Sequence, residues 1–208
     1  MGGDFIHQQF VLFLVVIAFA TLVNIYSSKL LAAFNNISVW WHVFGAALII
    51  GILLFTTDKH QSLNWMFTTK INNSGFGEHT YWYLVLPLGF LLTQYTITGF
   101  DASAHLSEET HDAHMSAAKG IWKSIFYSAI GGYILLMAFL FVATNTDLIN
   151  SFDPKVNPYG GGNIIALLAS ALGTGIKFKL VMIITTVGQI FCVTACLTSC
   201  SRMMYAFS

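Results

Sequence analysis

The sequence predicts an all-α fold, a polytopic bundle of helices within a lipid bilayer, and three observations predict it. Of the 208 residues 56% are hydrophobic and only 9% are charged, whereas a soluble domain has roughly a quarter of its residues charged. Mean hydropathy is +0.69. The apolar residues gather into five runs, each of the length that crosses about 30 Å of hydrocarbon as a helix.

The first run extends from Gln8 to Tyr26. Met1 to Gln9 carries Asp4 and neither Lys nor Arg, so it lacks the basic flank of a secretory signal and reads as a true span. A short link, Ser27 to Asn36, follows, with Asn35-Asn36 a plausible helix start. The second run covers Ile37 to Phe55. The polar stretch Thr56 to Tyr81 leads to the third, from Trp82 to about Thr98 with a short continuation to Glu109. Glu108 to Lys119 is the most charged stretch and runs into the fourth span, Ile121 to Thr144. Asn145 to Lys179 holds Asp153-Pro154, Pro158 and Gly160-Gly161-Gly162. Within it, residues 163–173 read as a short helix lying on the membrane surface, its polar flanks and length arguing against a crossing. The fifth span runs from Phe178 to Tyr205.

Charge excludes some functions and leaves orientation open. The formal net charge is +0, and no basic tract is present for nucleic acid or anionic lipid heads. With the Lys29 link on the inner side, Lys29, Lys119, Lys123 and Arg202 oppose Lys59, Lys70, Lys155, Lys177 and Lys179. Four against five gives the positive-inside rule nothing to decide. No Gly-x-x-x-x-Gly-Lys-Ser/Thr loop occurs, so ATP-driven chemistry has no support. Cys192, Cys196 and Cys200 recur every four residues on one helix face. That spacing suits a small-residue face against a neighbouring helix, since no second ligand cluster follows a zinc spacing.

The third run changes character at Thr98-Gly99, two poor helix formers, with Asp101 at a depth where a carboxylate is costly. A helix broken inside the membrane is tolerated where the freed backbone lines a cavity or meets a solute. A solute with an anionic and a cationic group could meet both ends of such a break. The second half-helix offers amide donors to the first group and the first half-helix offers carbonyls to the second. Tyr95, Thr96, Ile97 and Thr98 then supply carbonyls or a wall, Gly99 allows close approach, and Phe100 packs against the solute. Thr98 to Asp101 fits the threonine-x-x-acid pattern of a capping box. A buried Asp101 would equally suit proton exchange. His42, inside an apolar span after Trp40-Trp41, reads either as a titrating group or as a neutral imidazole bonded to a helix carbonyl. Glu108 to His114 gathers carboxylates and histidines, including one Glu-x-x-His pair. No other span carries a matching pair, so a solvated helix end or gate contact is the better reading.

Three blocks in order resemble one family. They are Asn35-Asn36-Ile37-Ser38-Val39-Trp40-Trp41-His42, then Thr98 to Thr110, then Ser201-Arg202-Met203-Met204-Tyr205-Ala206-Phe207-Ser208. The sequence is similar to the bacterial-type amino-acid and gamma-aminobutyrate permeases of the amino acid–polyamine–organocation superfamily. The resemblance implies a fold of two inverted five-helix repeats, with the first and sixth helices broken around the substrate. This chain would then be a fragment covering spans four to eight. It implies a lid role for Tyr95, one turn before the glycine. It also places His42 where some proton-coupled relatives carry a basic residue. Relatives often have a proline before the seventh span, where this chain reads Ala117-Ala118-Lys119-Gly120-Ile121.

The expected function is transport of an amino acid or related amine across the plasma or inner membrane by a multi-pass secondary transporter. Protons are the candidate coupling ion and no cofactor is implied. The rival readings are a membrane-embedded metalloenzyme using His105 to His114 and a truncated subunit that does not itself transport.

Overall fold

A chain in hydrocarbon has no water to satisfy its amides, so bilayer-length apolar runs become helices. The computed structural model describes residues 2–26, 28–72, 74–107, 110, 112–151, 153–159 and 164–208. In order the helices are α1 (Gly2–Tyr26), α2 (Ser28–Thr56), α3 (Leu63–Thr68), α4 (Glu78–Thr80) and α5 (Leu86–Gln94). They continue with α6 (Ala102–His105), α7 (Ala113–Val142), α8 (Thr146–Asn150), α9 (Ile164–Leu172) and α10 (Ile176–Phe207). A π-helical turn, Tyr81–Val85, joins α4 to α5, and a 3-10 turn, Tyr95–Ile97, follows α5. Among the described residues, five segments are long and apolar enough to cross a membrane: Ile6–Tyr26, Lys29–Thr56, Glu78–His105, Ala113–Val142 and Ile176–Phe207.

Long helix α10 is the spine. It packs on α1, α2, α6 and α9, while α2 also packs on α7. The core lies towards one end of the bundle, where Ile49, Ile52 and Leu53 of α2 meet Ala138 and Val142 of α7, Leu168 of α9, and Val181 and Ile184 of α10. Side chains also close the helix ends there. Lys177 Nζ donates to Thr56 O at 3.2 Å, serving a carbonyl left unpaired at the end of α2. Gln61 donates from its backbone N to Phe141 O at 2.7 Å and from Nε2 to Ala143 O at 2.8 Å, doing the same for α7. His60 stacks on Phe141 and pairs with the Thr57 hydroxyl. The link after α2 is thereby tied to the core.

The helices depart from the expected spans in instructive ways. Asn35-Asn36 does not start α2, which already begins at Ser28. Leu31 is buried, and Phe34 packs between Phe19 and Phe191. Those contacts override the weak helix propensity of asparagine. α7 starts at Ala113 rather than near Ile121, so part of the charged stretch is helical. α10 runs from Ile176 to Phe207, beyond both expected ends. α9 packs one apolar face on the bundle: Ala166 and Leu168 are buried, the latter in the core. The expected start of that helix at Asn163 lies outside the described residues, as does the end of the third span at Glu109. Pro87 has no N–H to give to Tyr83, and the turn before it widens, with Leu86 N bonding Tyr81 O.

Polar side chains join α1 to α10. Asn24 Nδ2 donates to Ala20 O at 2.8 Å and to Thr194 O at 3.3 Å, and Thr198 Oγ1 donates to Asn24 Oδ1 at 2.6 Å. Thr194 and Thr198 are both buried. Asn24→Leu is expected to lower stability by about 1 kcal/mol, the ordinary scale of interhelical hydrogen bonds in membranes. The loss stays small because Thr198 Oγ1 keeps its own bond to Thr194 O at 2.8 Å. Thermal unfolding in detergent measures it, and a loss several times larger would contradict this account.

Candidate functional site

The third span comes apart where its sequence is weakest. Thr98 closes the 3-10 turn, donating its N–H to Tyr95 O at 3.2 Å, and its backbone then extends (φ −61, ψ 141). Its hydroxyl reaches back to Gln94 O at 3.3 Å, the local bond by which threonine competes with a helix ladder. Gly99 follows at φ +85, a left-handed value that glycine adopts without a Cβ penalty. The chain turns helical again as Ala102 N bonds Gly99 O at 3.1 Å and α6 begins. Thr98-Gly99 form a turn, but among the described residues no bond of ordinary hydrogen-bond length and angle engages the amides of Gly99, Phe100, Asp101 and Ser103 or the carbonyls of Thr96, Ile97 and Thr98. The break therefore presents free donors beside free acceptors, the pair of groups that a zwitterion or an amine needs.

Side chains around the break divide between two cavities. Tyr95, 67% exposed within the chain, lines an open groove of about 340 Å³ with Ile17 of α1 and with Gln189, Cys192 and Cys196 of α10. The cysteine face thus looks onto the break, and within this chain Cys196 and Cys200 are exposed. The sequence carried the spacing of that face but not its partner. On the other side, His105 and Ser107 share a cavity of about 310 Å³ with Arg202 and the end of α10. Phe100 is also exposed.

Asp101 differs from both readings offered by the sequence. It is the N-cap residue of α6 itself and makes no side-chain cap bond, so the Thr98–Asp101 capping box does not form. Nor is it buried: its side chain is 54% exposed. The carboxylate turns along α6 instead, and Oδ2 meets His105 Nε2 at 3.1 Å, an i,i+4 pair on one helix face.

His42 is not bonded to the break. Its Nδ1 lies 2.7 Å from Ser38 O and 3.4 Å from Ser38 Oγ. Nδ1 is thus placed to donate to that carbonyl. The imidazole faces α10, where a Cβ on Gly188 would stand 3.4 Å from Nε2, and Phe191 packs nearby. His42 meets α10 near Gly188, and the groove that Tyr95 lines runs along α10 from Gln189 to Cys200. Of the acidic–histidine cluster, Glu108, Glu109 and His111 lie outside the described residues. Among the described residues no three His, Cys, Asp or Glu side chains gather as metal ligands.

A profile of the family described as amino acid permease matches residues 3–208. This chain belongs to the amino acid permease family. Its relatives include the amino-acid permease BAT1 of Arabidopsis thaliana, 28% identical over all of this chain (100%) and 41% of that protein. The polyamine transporter TPO5 of Saccharomyces cerevisiae is 25% identical over 95% of this chain and 31% of its own length. The low-affinity putrescine importer PlaP of Escherichia coli K12 is 31% identical over 68% of this chain and 30% of its own. The chain thus spans about two fifths or less of the length of these permease relatives. No solved structure matches it significantly.

Proposed function

We propose that the protein carrying this chain moves an amino acid or a related amine, polyamines included, across the plasma or inner membrane, with the solute held at the break between Tyr95 and Asp101. The observation that carries this reading is the set of free amides and carbonyls either side of Gly99. Permease membership and relatives named for amino acids, polyamines and putrescine support the solute class. In this reading the chain supplies spans four to eight of a fold of two inverted repeats, of the bacterial amino-acid and gamma-aminobutyrate type. The carbonyls of Thr96, Ile97 and Thr98 take the ammonium, the amides after Gly99 take the carboxylate, and Tyr95 and Phe100 cover the solute. Asp101, paired with His105, adds a negative charge that favours cationic solutes. Protons passing through His42 drive uptake.

Proteoliposomes holding the protein that contains this chain are expected to accumulate labelled solutes from a panel of amino acids, gamma-aminobutyrate and diamines. A panel with no solute taken up or bound would overturn the reading. His42→Ala is expected to flatten the pH dependence of uptake. An unaltered pH profile would remove His42 from coupling and leave the solute site standing.

A further inference from the structure

Both halves of the broken span rest on α7, and each half rests on a glycine. A Cβ added to Gly132 would stand 2.6 Å from Thr96 Cγ2, on the 3-10 turn before the break. One added to Gly120 would stand 2.9 Å from both Cβ and Oγ of Ser103, in α6 after the break. Thr96 is β-branched and stiff at χ1, and the Ser103 contact includes Cβ, which no change of rotamer removes. Gly131, in the same helix, would meet nothing within 4 Å, so crowding belongs to the two positions and not to glycines of α7 at large. α7 is helical without interruption from Ala113 to Val142. At about 1.5 Å of rise per residue, Gly120 and Gly132 stand roughly 18 Å apart along it.

We infer that α7 is the gauge of the solute site: Gly120 and Gly132 are positioning residues whose missing side chains set how the two half-helix ends stand relative to each other. The inference rests on the solute reading of the break and adds what holds that break to dimension. Carbon contacts settle at about 3.5–4.0 Å, so a methyl on Gly132 displaces the Thr96 turn by about 1 Å. A hydrogen bond of ordinary length stretched by that amount is lost. The free carbonyls of Thr96 to Thr98 then no longer stand at the spacing the amides beyond Gly99 require. No residue of α7 need touch the solute for this to happen.

Uptake kinetics and a distance measurement test it together. Gly132→Ala is expected to raise KM about tenfold or more, equivalent to losing one good hydrogen bond, with kcat changed far less. Adding Thr96→Ser, which deletes the clashing Cγ2, is expected to bring KM back, and Gly131→Ala to leave it unmoved. A purely structural glycine would lower the yield of folded protein without moving KM, and that result overturns the proposal. Independently of uptake, spin labels at positions 90 and 104, with the three cysteines replaced by serine, report the spacing across the break. Gly132→Leu is expected to shift that distance by about 2 Å, the scale on which overpacking moves backbone. An unchanged distance overturns the role of α7 whatever uptake shows. A shifted distance in a protein whose parent form takes up no solute supports α7 as the gauge and sinks the transport reading alone.

Discussion

Gly99→Val is expected to abolish solute accumulation, while Gly99→Asn retains a measurable part of it. A Cβ at this position meets nothing within 4 Å, so crowding is not the cause. The cause is the backbone, which sits at φ +85. A left-handed conformation costs an ordinary L-residue about 1–2 kcal/mol, and a β-branched residue more. Asparagine tolerates the region because its short amide bonds locally. Valine relieves the strain by rotating φ to negative values, and that rotation re-aims α6 against the 3-10 turn. The free amides and the free carbonyls then cease to face a common solute. Uptake should fall in the order Gly, Asn, Ala, Val, with Val at least tenfold below Gly, since about 1.4 kcal/mol corresponds to that factor. Because the strain is local, thermal stability should fall far less than uptake. Equal uptake by the Asn and Val variants would remove the left-handed turn from the account of the site.

That turn was the most legible feature of the sequence, for a local reason. Thr98 and Gly99 are adjacent, both resist helix, and each acts through its own backbone: one bonds back to Gln94 and the other takes a positive φ. Features that depend on a partner were not legible. Asn35-Asn36 looks like a helix start until Phe34 is found between Phe19 and Phe191. Thr98 and Asp101 have the spacing of a capping box, yet Asp101 begins α6 and its carboxylate finds His105 first. Pro87 stood in plain view inside an apolar run, and the removal of a donor it implies shows as the π-helical turn before it. The cysteine spacing told which residues share a face but not that the face looks onto Tyr95. Contacts between Thr96 and Gly132, or Ser103 and Gly120, carry no sequence signal, because spacing within one helix does not say which neighbour it meets.

Where α2 crosses α10 the same reasoning gives the largest effect on folding. Gly45→Leu is expected to destabilise the protein by about 2–3 kcal/mol, the upper range for forcing methylenes into a filled contact. Even the Cβ of alanine at Gly45 would lie 2.7 Å from Ile184 Cγ2. Ile184 cannot give way cheaply, since it is buried in the core with Ile49, Leu53 and Val181. Its carbonyl also accepts Trp41 Nε1 at 3.0 Å, which fixes the two helices in register. Gly51, farther along α2, has nothing within 4 Å of its Cβ position, so Gly51→Leu should stay within about 0.5 kcal/mol of the parent. Ile184→Ala deletes the clashing methyl but opens space in the core, so with Gly45→Ala it should cost less than the sum of the two single losses. Thermal unfolding in detergent measures these variants, and equal losses at Gly45 and Gly51 would contradict a close crossing. The crossing also carries His42, which faces α10 at Gly188. Pushing α2 away from α10 at Gly45 should therefore alter the pH profile of uptake along with stability, provided His42 couples protons. Should stability fall while the pH profile keeps its shape, His42 would be a packing residue of the crossing and the proton route would lie elsewhere.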